Sequence, residues 1–172
     1  MTLNAYLITH LIHDLVSPLT ALTSTLDLAK IEDNFWATGG EELIQKSAQS
    51  LKARVRFFRA LWGLEGSIED TVAPQYLKTL SVPVKLTGTV TTQVQLGAIL
   101  LGTLLLPLGG TLTLGEKELR IKGTQFKNIT EFQKILSDGA DITLQTAPVL
   151  AFKQQAPNAT LTQDGDTLIL SF

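Results

Sequence analysis

The chemistry of this chain is concentrated in one string, His13-Asp14-Leu15-Val16-Ser17-Pro18-Leu19. A neutral imidazole carries a free lone pair at pH 7, because its ordinary pKa is about 6.5. An exposed His13 is therefore a nucleophile suited to phosphoryl transfer. Asp14 could orient the ring or accept its proton. Ser17, one turn along the same helix face, could hydrogen-bond phosphoryl oxygens or a water. Pro18 falls inside a stretch of helical periodicity, where proline removes a hydrogen bond and costs about 3 kcal/mol, so its presence needs a reason. His13, Asp14, Ser17 and Pro18 form the candidate catalytic set. His10 has neither an acidic neighbour nor a following proline at that spacing, and reads as a surface or rim residue. The chain has no cysteine, which excludes a disulfide scaffold, a thiolate metal site and cysteine catalysis. His10 and His13 are its only histidines, so a histidine-built zinc site would need carboxylates from elsewhere.

Two helices must position this string. From Leu3 to Ile31 the residues Ile8, Ile12, Leu15, Leu19, Leu22, Leu26 and Ala29 step by four and three, a heptad seam. His13, Ser17, Thr20, Ser24 and Asp27 share a polar stripe beside it. Glu32-Asp33-Asn34 and Gly39-Gly40 mark a polar turn, and Thr38 with Glu41 has the spacing of a capping box. A second helix to about Gly63 repeats the stepping with Ile44, Ala48, Leu51, Val55, Phe58 and Trp62. One helical hairpin cannot cover both apolar stripes, so the expectation is a homodimer whose hairpins pair as a four-helix bundle. Phe57 falls outside the seam; it is read as core packed against the second domain, with a docking contact as the alternative.

After Gly66 the texture changes, which divides the chain into residues 1–65, the hairpin, and 66–172. The second part predicts short helices at Val72–Thr79 and Ile129–Leu136, a buried helix at Thr91–Leu106 and a helix at Pro148–Gln155. Strands are expected at Val82–Leu86, Thr111–Leu114, Glu118–Lys122, Ala159–Gln163 and Asp166–Phe172, with a short extended piece at Asp141–Leu144. The fold class is α+β: the hairpin, then a small α/β sandwich with an antiparallel sheet and helices on one face.

The chain has 172 residues, 14 basic against 16 acidic, with 44% apolar and 17% charged side chains. This is a globular composition, and its charge balance argues against a nucleic-acid partner. The apolar run Val94–Leu108 is shorter than the roughly 20 residues of a membrane helix. The N-terminus lacks the basic region of a signal peptide. A cytoplasmic protein without membrane contact is expected. Five basic residues and no acid lie from Lys46 to Arg59, and Lys52, Arg56 and Arg59 share one helix face. That stripe is a candidate surface for an acidic partner.

The His13-Asp14-x-x-Ser17-Pro18 string resembles the H-box of histidine-kinase dimerisation domains. The run Ala53-Arg54-Val55-Arg56-Phe57-Phe58-Arg59 before Leu61-Trp62-Gly63, and the leucine-rich Leu104–Leu114 segment with its Gly109-Gly110, are similar to the ChpT-type histidine phosphotransferases of alphaproteobacteria. That resemblance implies a dimeric hairpin followed by a degenerate relative of the kinase ATP-binding domain. It also implies a phosphorelay role, carrying phosphate from the receiver of a hybrid histidine kinase to response-regulator receivers. The chain departs from the family in its abbreviated loops after Gly123 and in Leu108 before the glycine pair. A kinase nucleotide site would carry an asparagine-bearing helix and a D-x-G-x-G loop, and Thr91–Leu106 holds no asparagine or acid. No cofactor is expected on this chain; Mg2+ is expected on the receiver alone. The sequence points to a histidine phosphotransferase acting through His13. Two alternatives stand beside it: a dimeric module that docks receivers without transfer, and an ATP-dependent histidine kinase.

Overall fold

The computed structural model describes residues 3–172, so Met1 and Thr2 lie outside the described residues. Helix α1 (Leu3–Ile31) continues unbroken through Pro18 and is followed by α2 (Gly40–Leu61). The connection differs from the expected capping box. The Thr38 hydroxyl turns back to donate to the carbonyls of Asn34 and Phe35, at 3.1 Å each, and is spent on the turn rather than on the helix start. Gly39 caps α2 instead, at φ 92°, a left-handed conformation that favours glycine. Phe35 is buried directly against Gly40, where any Cβ would strike its ring.

The second half alternates short helices and strands: α3 (Val72–Leu77), β1 (Val84–Thr87), α4 (Gln93–Leu105), β2 (Gly110–Leu114) and β3 (Glu118–Lys122), then α5 (Ile129–Asp138), α6 (Ala147–Gln155), β4 (Thr160–Asp164) and β5 (Thr167–Ser171). One sheet has the order β1-β2-β3-β5-β4. It is not wholly antiparallel as the sequence suggested. β1 pairs parallel with β2, Val84 opposite Gly110, because α4 carries the chain back across the sheet between them. The other pairs are antiparallel. The expected extended piece at Asp141–Leu144 forms no strand. It is a turn into α6, held by the Thr146 hydroxyl donating to the Asp141 carbonyl at 2.7 Å.

Alternation along the strands explains the layering. Leu112 and Leu114, Leu119 and Ile121, Leu161, and Leu168 and Leu170 point to the helices and are buried, while Thr113, Arg120 and Lys122 face water. Helix α4 is apolar nearly all round and lies buried, as its composition required. Its start is a complete capping box: the Thr92 hydroxyl accepts from Gln95 N–H at 3.2 Å and the Gln95 side chain accepts from Thr92 N–H at 3.2 Å. Gln95 also donates to the Gly115 carbonyl, so its buried amide is satisfied. Phe57, Phe58, Ala60 and Leu61 of α2 belong to the same apolar cluster as the sheet. Phe57 stacks on Tyr76 of α3, centroids 4.0 Å apart and 15° from parallel. It is core, packed against the second half as expected despite its place outside the seam, and not a docking contact.

The seam of α1 divides in two. Leu15, Leu22 and Ala29 are partly buried within the hairpin. Ile8, Ile12, Leu19 and Leu26 form an outward row, each 42% to 55% exposed, with Val16 beside them.

Candidate functional site

Helix geometry sets the starting arrangement. Side chains at i and i+4 share a face, whereas neighbours diverge by about 100°. His13, Ser17, Thr20, Ser24 and Asp27 are all exposed, so the polar stripe faces water along the middle of α1. Among the described residues the His13 ring has no hydrogen-bond partner. Its lone pair is open to an incoming group.

Asp14 turns the other way, toward α2. Arg54 Nη1 donates to the Asp14 main-chain carbonyl at 3.0 Å and lies 3.7 Å from the Asp14 carboxylate. Arg54 Nη2 donates to the Thr79 carbonyl at 2.7 Å, just beyond α3. One guanidinium thus joins the turn bearing His13 to the segment that leads into β1. Among the described residues no hydrogen bond links Asp14 to His13, and Asp14 exerts its field on groups packed behind the helix. Burial raises the Tyr76 hydroxyl above the usual tyrosine range; the Asp14 charge adds to the shift and Arg54 opposes it.

Pro18 is buried, on the inward side, one turn beyond Asp14. Ser17 is exposed, one turn beyond His13. His10 is more than a rim residue. It enters a cleft of about 190 Å³ between the hairpin and α4 and α6, with Leu7, Phe58, Trp62, Leu100 and Phe152 among its walls. Burial pushes His10 below its ordinary 6.5; the Asp14 charge opposes the shift and His13 reinforces it.

The basic stripe of α2 is only partly free. Lys52 is exposed and makes no ion pair among the described residues. Arg56 pairs with Glu69 at 2.7 Å and Arg59 with Glu65 at 3.7 Å, so carboxylates of the 62–71 connection offset two of its three charges. By helical periodicity these three leave α2 on the side roughly opposite Arg54. Arg54, which holds the turn bearing His13, is the side chain that charge counting passes over. The available signal was its angular position: it shares a face with Phe57, Phe58 and Leu61, an unusual place for an arginine.

No protein-family model matches this chain, and no curated protein sequence matches it significantly. A solved structure does: a bacterial phosphotransferase determined at 1.7 Angstrom, with a TM-score of 0.77 and 21% sequence identity, over 98% of this chain and 94% of that one. At that identity the likeness establishes a shared fold, α+β from end to end. Among the described residues no helix is long and apolar enough to cross a membrane.

Proposed function

We propose that this chain is a histidine phosphotransferase of a two-component phosphorelay, with His13 as the residue that carries the phosphoryl group. The observation that carries this reading is an exposed imidazole, unbonded among the described residues, on a helix turn that Arg54 ties down from behind. The fold shared with a bacterial phosphotransferase supports it.

In the proposed reaction a ring nitrogen of neutral His13 attacks the phosphorus of a phosphorylated receiver aspartate. The P–N bond forms, the P–O bond breaks, and the aspartate leaves as carboxylate. The attacking ring becomes positively charged, and the proton on its other nitrogen then passes to water. Transfer onward reverses these steps on a second receiver. Such transfers proceed through a loose transition state, so positioning and charge do most of the work. Mg2+ on the receiver would neutralise the phosphoryl oxygens; this chain would supply the nucleophile and its orientation. Asp14, held by Arg54, fixes the turn and the local field, and Ser17 is placed to hydrogen-bond a phosphoryl oxygen or a water.

The active form is proposed to be a homodimer. The outward row Ile8, Ile12, Leu19 and Leu26 is the half of the seam that one hairpin leaves uncovered, and a second copy would close it as a four-helix bundle. Lys52, without an ion pair among the described residues, belongs to a stripe that would meet the acidic phosphorylation site of a receiver, with Arg56 and Arg59 beside it.

The test is direct. Native protein and a His13→Gln variant are incubated with receiver domains carrying labelled phosphate. Label on the native protein and none on the variant supports transfer. Absence of label across a receiver panel, with receiver binding retained, favours a docking module. Labelling from ATP without a kinase would identify a kinase instead.

A further inference from the structure

Pro18 and Arg54 meet at one atom, the main-chain oxygen of Asp14. In an uninterrupted α-helix that oxygen would accept the N–H of residue 18, four positions on. Pro18 has no N–H, so the Asp14 carbonyl is orphaned by the sequence itself. A buried carbonyl without a partner is costly, and native structures supply a substitute. Here the substitute comes from the other helix of the hairpin: Arg54 Nη1, at 3.0 Å.

We infer that Pro18 and Arg54 form one positioning unit, in which the proline vacates the Asp14 carbonyl so that Arg54 can grip the His13 turn and fasten it to Thr79. This rests on the reading of His13 as the phosphorylated residue. Three further observations fit. Pro18 is buried, on the same side of α1 to which Asp14 turns. The same guanidinium reaches the Asp14 carboxylate, so backbone and side chain of the residue after His13 are both held by it. Arg54 also tolerates a buried Nε without a partner among the described residues. A solvent-exposed arginine would avoid that cost; the two carbonyl bonds are what hold it inside. Arg54 is accordingly a positioning residue. It touches neither the imidazole nor any group that would be transferred.

The pair makes a specific prediction about coupling. Pro18→Ala restores an N–H to the helix, which competes with Arg54 for the Asp14 carbonyl. The experiment is a double-mutant cycle on the full chain with Arg54→Met, Pro18→Ala and both together, far-UV circular dichroism serving to confirm the fold. Two readouts are taken. The first is the rate of label uptake from a phosphorylated receiver at saturating concentration, with receiver affinity measured separately. The second is the exchange rate of the Arg54 guanidinium protons by NMR.

With proline at 18, Arg54→Met should slow uptake about tenfold and leave receiver affinity unchanged; with Pro18→Ala the same substitution should cost less than threefold. The guanidinium protons should exchange at least tenfold faster in Pro18→Ala than in the native chain. If Arg54→Met does not fold, Arg54→Lys, which offers one donor group to two carbonyls, should fold and slow uptake about threefold. Equal losses of uptake in the two backgrounds, or unchanged guanidinium exchange, would overturn the inference. If native protein and His13→Gln are equally unlabelled, the phosphotransfer reading fails, and guanidinium exchange alone then decides whether Arg54 and Pro18 act as a pair.

Discussion

At the scale of single residues, three side chains carry measurable consequences beyond His13. Burial lowers the His10 pKa below 6.5. In the unfolded chain His10 takes up its proton first as pH falls, so the unfolded state binds more protons between 6.5 and the folded value. The stability this group contributes is complete above about pH 6.5 and is lost as pH drops through the folded pKa. The melting temperature should fall between pH 7 and pH 5, and His10→Leu should flatten that fall; an unchanged slope would show that His10 is not its source. Phe57 is fully buried and stacked on Tyr76, so Phe57→Ala should cost about 3–5 kcal/mol in urea titrations. Arg54 was concealed in the sequence by its neighbours. Counted with Lys52, Arg56 and Arg59 it reads as one more solvated charge, and only its angular position among Phe57, Phe58 and Leu61 separates it.

At the scale of elements, periodicity located the helices well and left their partners open. The bounds of α1 could be read directly, because its seam and the adjoining Glu32-Asp33-Asn34 turn both speak for the same limits. Which half of that seam faces α2 and which faces outward was not legible, since a heptad pattern names apolar positions without naming what covers them. The outward row supports a second copy, and Ile12→Glu together with Leu19→Glu should give a folded monomer by sedimentation velocity; an unchanged dimer would place its interface elsewhere. The start of α2 misled in another way. Thr38 and Glu41 have the capping-box spacing, but the hydroxyl was already taken by the turn. At α4 the Thr92–Gln95 box is real, and Thr92→Ala should cost about 1 kcal/mol by thermal unfolding.

At the scale of the molecule, the α+β class was legible in the change of texture after Gly66, while the parallel pairing of β1 with β2 was not. Two short strands on either side of a buried helix carry no local signal of who pairs with whom; the crossover decides it. The same packing brings Thr79, which no motif singled out, to the guanidinium that holds Asp14. The turn bearing His13, legible in the sequence, is thus joined to a brace that only the folded chain assembles. The proposed function turns on one ring. Protein loaded from a phosphorylated receiver, kept at alkaline pH and fragmented for tandem mass spectrometry, should carry an acid-labile phosphoryl group on His13. A phosphoryl group on His10, or none on either histidine after exposure to a receiver that binds the chain, would contradict the assignment.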